Sequence, residues 1–103
     1  MTRKFKRITL EHPCGGAEWD KLAPGDDGEP YEVAPFSHVT FHVTEGSVEI
    51  EGSIVGEKYD LVNDYRGLPL RKNGLLTVHD AVRFVRPVNN GPASAMVSIF
   101  VRR

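Results

Sequence analysis

Val39, Phe41 and Val43 alternate with His38, Thr40 and His42 in FSHVTFHVTE, the two-residue period of a strand with one buried face. SVEIEGSI continues the pattern with Val48 and Ile50 until Gly52, where a bulge or a close backbone approach is expected. EKYDLV places Tyr59 and Leu61 on one face as core positions. LPL and LLTVHD offer short strands around RKNG, whose Asn73-Gly74 pair is a strong hairpin signal. AVRFVRPV reads as a strand stopped by Pro87, which has no N–H to give a ladder. SAMVSIFVRR closes the chain with Ala95, Val97, Ile99 and Val101 on one face. Glycines, prolines and β-branched residues leave no helical window longer than two turns.

These elements predict an all-β fold, a single-domain β-sandwich or jelly roll of seven to eight short antiparallel strands. The expected organisation is a basic N-terminal arm over 1–10, a long charged loop over 11–35 and a sandwich body over 36–103. The loop assignment rests on HPCGGAEWDKLAPGDDGEPYE, which carries four glycines and three prolines. A stretch of that kind in a compact domain is a place to look for partner contact. Trp19 within it either pins the loop to the sheet or faces a partner, since amphipathic aromatics are enriched at interfaces.

Composition narrows the classes of function. The 103 residues are 40% hydrophobic and 26% charged, with a net charge of −1, an ordinary balance for a globular chain. Cys14 is the one cysteine, so no internal disulfide framework and no CxxC metal site can form. No apolar stretch approaches a membrane span. The basic start lacks the apolar run of a secretory signal, which predicts synthesis in the cytosol. Charge is uneven: Arg3, Lys4, Lys6 and Arg7 face no acid within residues 1–10, while residues 11–32 hold seven acids against Lys21. Opposite charges in arm and loop suit self-association, one copy's arm on another's loop. Four basic residues in a domain that is not basic do not argue for nucleic acid.

The chemistry-bearing residues assemble no reactive set. His38 and His42 share a strand face, about 13 Å apart at roughly 3.3 Å per residue, too far to ligate one ion. His12 with Cys14, and His79 with Asp80, supply no three-ligand group. No base is placed to activate Cys14. Paired-carboxylate hydrolysis needs two acids flanking a cleft, for which a small sheet protein offers little room. The acidic turn Asp26, Asp27 and Glu29 lacks the spacing of a calcium loop. The expectation is therefore a non-enzyme with no catalytic residue, no cofactor and no metal.

The last strand points outward as well as inward. With Val97, Ile99 and Val101 in the core, Met96 and Phe100 face out, and a loop or another subunit would cover them. The alternative is a strand buried on both faces. The first option predicts a homo-oligomer, a trimer somewhat ahead of a dimer.

From about residue 39 onward the chain resembles small tailed-bacteriophage structural proteins of the head decoration, or cement, type. The resemblance lies in Val48, Ile50, Gly52 and Ser53, then Tyr59 with Leu61 or Val62, then Asp64 and Gly67. It continues in Phe84-Val85-Arg86-Pro87 and in the closing Arg102-Arg103. It implies a virion protein made in the host cytoplasm that binds the major capsid protein on the outside of the head and stabilises it, without nucleic-acid or membrane contact. On that reading Arg3, Lys4, Lys6, Arg7, Trp19, Asp26, Asp27 and Glu29 make the capsid contacts, and Met96 and Phe100 the self-contacts. The rivals are a carbohydrate- or host-surface-binding module using Trp19 and Tyr31, and a tail or head–tail joining component.

Overall fold

A computed structural model describes residues 5–10, 14–34, 36–62 and 69–103. The fold is all-β and antiparallel, as the alternation predicts. Ten strands are described rather than seven or eight: β1 Lys6–Leu10, β2 Gly15–Leu22, β3 Tyr31–Glu32, β4 His38–Glu45, β5 Ser47–Ser53, β6 Asp60–Leu61, β7 Leu70–Arg71, β8 Leu75–Thr77, β9 Phe84–Val88 and β10 Ala95–Arg102. One sheet has the order β1-β2-β10-β4-β8; the other runs β3-β9-β5-β6, with β7 pairing β5. The two close face to face as a jelly-roll-like sandwich.

The long strands form where one face is buried. In β4, Val39, Phe41 and Val43 point inward; in β5, Val48 and Ile50; in β10, Ala95, Val97, Ile99 and Val101. β10 lies between β2 and β4, pairing Ile99 with Ala17 on one side and Phe41 on the other. Phe100, on the outer face, is 47% exposed, and Met96 is half-buried.

The stretch expected as a loop over 11–35 is corrected most. Residues 15–22 form β2, an eight-residue strand inside a sheet, and Trp19 is fully buried. Small residues disguise it. Gly15 and Ala17 face the interior, and a Cβ at Gly15 would come within 2.7 Å of a Val101 methyl. Lys21 takes a left-handed φ of 56° where the β2–β10 register slips.

Three smaller expectations shift. Leu61 is 39% exposed and Val62 is buried in its place, so the inward phase near β6 lies one residue later; Tyr59 is only half-buried. The Asn73-Gly74 turn forms, with Asn73 at a φ of 67°, but the strands it joins do not pair: β7 joins β5 and β8 joins β4. β9 continues through Pro87, which is paired with Ile50. The Pro87 carbonyl accepts the Gly28 N–H at 2.7 Å, so its ring nitrogen also points away from β5 and no ladder bond to β5 is lost.

Candidate functional site

Gly52 sits inward at the end of β5, opposite Val85 of β9. It marks a close approach rather than a bulge: the β5–β9 register runs unbroken, and a Cβ there would meet a Val62 methyl at 2.9 Å and a Val82 methyl at 3.0 Å. Gly52 lies in the floor of a cleft of about 440 Å³, whose apolar lining includes Ile54, Val55, Val62 and Val82 beside Ser53.

The wall is held by local hydrogen bonds. The Ser53 hydroxyl is buried and accepts the Gly56 N–H at 2.8 Å, while the Ser53 carbonyl accepts the Arg83 N–H at 3.0 Å. Gly56 has a φ of 85°, a conformation that side chains rarely adopt. This turn projects Ile54 and Val55 into solvent, 72% and 68% exposed. An apolar floor and lip thus meet three charged side chains, Lys58, Asp60 and Asp80. Apolar walls with a few convergent polar groups are the usual make-up of a small-molecule site.

Behind the cleft, on the outer face of the β9–β5 sheet, Arg86 donates from Nε and Nη2 to Glu51 Oε1 at 3.1 and 2.9 Å. Its guanidinium carbon lies 4.0 Å from the centroid of the Tyr59 ring, a cation–π contact. The Tyr59 hydroxyl is shielded from water with no hydrogen-bond partner among the described residues. Desolvation pushes its pKa above 10.0; the positive charge of Arg86 opposes this and the negative charge of Glu51 adds to it.

The sequence-predicted contact residues do not gather at this cleft. Lys6 pairs with Glu29 at 3.0 Å and Arg7 pairs with Glu18, so arm and acidic stretch meet within one chain. Asp27 lies 3.6 Å from Arg86. Asp26 Oδ2 accepts the Ala23 N–H, closing a turn. Arg3 and Lys4 lie outside the described residues. Trp19 cannot be a contact residue: its ring stacks on Phe41 and its Nε1 donates to the Glu29 carbonyl at 2.9 Å. Tyr31 is likewise buried, which removes both aromatics proposed to stack on a sugar. His38 is exposed beside the Ser37 hydroxyl, Cys14 is a half-buried free thiol, and His12 is outside the described residues. Among the described residues no group of three or more His, Cys, Asp or Glu is placed to hold a metal ion. Sequence reasoning missed the cleft, whose only local signal was Gly52 interrupting an alternating strand.

No protein-family model matches the chain, and no curated protein matches it. Its fold does match solved structures. The plu4264 protein of Photorhabdus luminescens superimposes with a TM-score of 0.58 at 18% identity, over 91% of this chain and 66% of that one. An uncharacterized conserved protein with a double-stranded β-helix domain from Klebsiella pneumoniae gives 0.64 at 16% identity, over 94% and 74%. An RmlC-like cupin protein from Desulfovibrio desulfuricans gives 0.61 at 11% identity, over 94% and 79%. These matches overturn the resemblance to phage head decoration proteins and the virion function drawn from it: the alternating segments behind it are those of any closed β-sandwich. The expectation of a non-enzyme falls too. It rested on the absence of a ligand or nucleophile set and on the little room a small sheet protein offers for a cleft between two acids; the fold is similar to that of an RmlC-like cupin, and Asp60 and Asp80 line a cleft in it. The fold of this chain is similar to that of these double-stranded β-helix and cupin structures.

Proposed function

We propose that this chain is a small-molecule-binding domain, and that its ligand, a hydroxylated compound of the carbohydrate or sugar-acid class, sits in the cleft over Gly52. The carrying observation is the chemistry of that cleft: an apolar floor of Gly52, Val62 and Val82 under Lys58, Asp60 and Asp80. Carboxylates accept hydrogen bonds from vicinal hydroxyls, an ammonium donates to a carboxylate or hydroxyl oxygen, and the C–H face of a sugar suits the valines. A volume of about 440 Å³ falls in the range of small-ligand sites, roughly 300–1,000 Å³.

The test is a titration of isotope-labelled protein with a panel of monosaccharides and uronic acids, followed through backbone amide shifts. Saturating shifts at Gly52, Lys58 and Val82, abolished in Val82→Trp while the melting transition is retained, are expected. If no compound moves these amides, or if shifts cluster elsewhere, the assignment is wrong. The two carboxylates on one cleft favour a second reading, in which one moves a proton on the bound ligand. Turnover of a panel compound, lost in Asp60→Asn or Asp80→Asn with binding kept, distinguishes it.

A further inference from the structure

The opposite end of β5 carries a second recess. It measures about 390 Å³ and is lined by Gly46, Ser47, Arg71, Lys72, Pro92 and Ala93. From Ser47 to Ser53 the strand spans roughly 20 Å, so this recess is separate from the cleft over Gly52. Its distinguishing feature is charge. Lys6, Arg7, Arg83 and Arg86 each meet a carboxylate, whereas neither Arg71 nor Lys72 forms an ion pair among the described residues. The nearest acids in sequence lie beside the recess rather than in its lining: Glu45 precedes Gly46, and Glu49 accepts from Asn90 Nδ2 at 3.2 Å.

The walls are fixed in advance. Arg71 is held opposite Ser47 by the β5–β7 pairing. The turn carrying Lys72 is tied to β4 by two bonds, Asn73 N–H to the Val43 carbonyl at 2.7 Å and Val43 N–H to the Gly74 carbonyl at 3.1 Å. The facing wall hangs on Asn89, whose fully buried amide donates to the carbonyls of Leu22 and Ala93 at 2.8 Å each and accepts the Gly91 N–H at 2.9 Å. Gly46, at a φ of 72°, packs so closely on Ser94 that a Cβ there would lie 2.6 Å from its carbonyl oxygen. A recess with its walls tied by hydrogen bonds, two cations unpaired among the described residues and apolar Pro92 and Ala93 is complementary to a small molecule that has an oxyanion at one end and a compact apolar body.

We propose that this recess is a second binding site, for a small organic molecule bearing a phosphate or carboxylate, with Arg71 and Lys72 as the anion-binding groups. The ligand is unidentified, so inorganic phosphate and acetate serve as separate probes of the two oxyanion sources. Each is titrated into labelled protein at constant ionic strength while the amides of Ser47, Arg71, Lys72 and Ala93 are followed. Saturating shifts confined to these residues are expected with at least one probe, weakened roughly tenfold or more in the Arg71→Ala/Lys72→Ala double variant. Both side chains are exposed, so the variant should melt like the parent. Val82→Trp should leave this binding unchanged, which separates it from the cleft over Gly52. Shifts that never saturate and appear equally at Lys21 and Arg103, or equal affinity in the double variant, would overturn the proposal.

Discussion

Trp19 of β2 stacks on Phe41 of β4 across the inner face of β10, their ring centroids 5.9 Å apart and their planes inclined by 26°. Both rings are fully buried, and the indole N–H is satisfied by the Glu29 carbonyl. The pair therefore ties together three strands and the segment leading to β3.

Trp19→Ala removes the largest fully buried side chain of the core and leaves a void that fixed strands cannot close. The expected loss is about 3–5 kcal/mol, a large part of a domain's usual stability of roughly 5–15 kcal/mol. Trp19→Phe should lose less, because the ring contact with Phe41 persists while the hydrogen bond to Glu29 goes. Urea denaturation measures both. An unmoved midpoint in Trp19→Ala would return this residue to the surface.

Gly52→Ala tests the floor of the cleft. The new methyl meets Val62 and Val82 at 2.9 and 3.0 Å, and β-branched side chains have little rotamer freedom with which to yield. Overpacking of this kind costs about 1–3 kcal/mol. Adding Val82→Ala should recover part of that loss. If the double variant is instead less stable than the sum of the two single changes, the clash with Val82 is not what destabilises Gly52→Ala.

The alternation of buried and exposed positions was legible in β4, β5 and β10 because each buries one face along seven or eight residues. β2 was not, because Gly15, Gly16 and Ala17 are turn-forming or small in isolation, and only the approach of Val101 shows why a small residue belongs there. Tyr59 and Leu61 misled because β6 is only two residues long, too short to fix a phase, and the inward position passed to Val62. Neither recess could be read locally. Gly52, Lys58 and Asp80 converge only once β9 lies beside β5, and Arg71-Lys72 reads as a solvated turn until Pro92 and Ala93 are brought beside it.

Tyr59 predicts an alkaline limit to stability. Its folded-state pKa lies above the unfolded value of 10.0, chiefly through desolvation. The native state therefore holds this proton more tightly than the unfolded state does. That contribution is complete below pH 10.0 and is lost as pH rises from there through the folded pKa. Urea midpoints measured on either side of pH 10.0 should fall on the alkaline side, and Tyr59→Phe should make the fall shallower, since lysines and other groups still titrate. A Tyr59→Phe variant with the parent's slope would show that the phenol does not contribute.

Asn89 carries the most specific prediction, because its side chain makes three hydrogen bonds with no exposure to water. Asn89→Ala leaves the Leu22 and Ala93 carbonyls and the Gly91 N–H without these partners. At about 1–3 kcal/mol for a group left unsatisfied, with the Ala93 and Gly91 bonds only part-buried and so at the low end, a loss of roughly 3–5 kcal/mol is expected. Asn89→Asp is nearly isosteric but should be worse at neutral pH, since a buried carboxylate would face two carbonyl oxygens. Burial and those oxygens both raise its folded pKa above the unfolded carboxylate value of about 3.9. Its protonated form also restores one donor. The sign follows: Asn89→Asp should gain stability relative to Asn89→Ala as pH falls through the raised pKa and lose it again as pH rises. Parallel urea melts of the two variants between about pH 4 and pH 8 measure the difference. A difference independent of pH would mean that the loop has opened and the residue at 89 is solvated. In that case the wall of Pro92 and Ala93 would be displaced as well, and affinity for whichever oxyanion probe saturates the proposed recess should drop in the same variant.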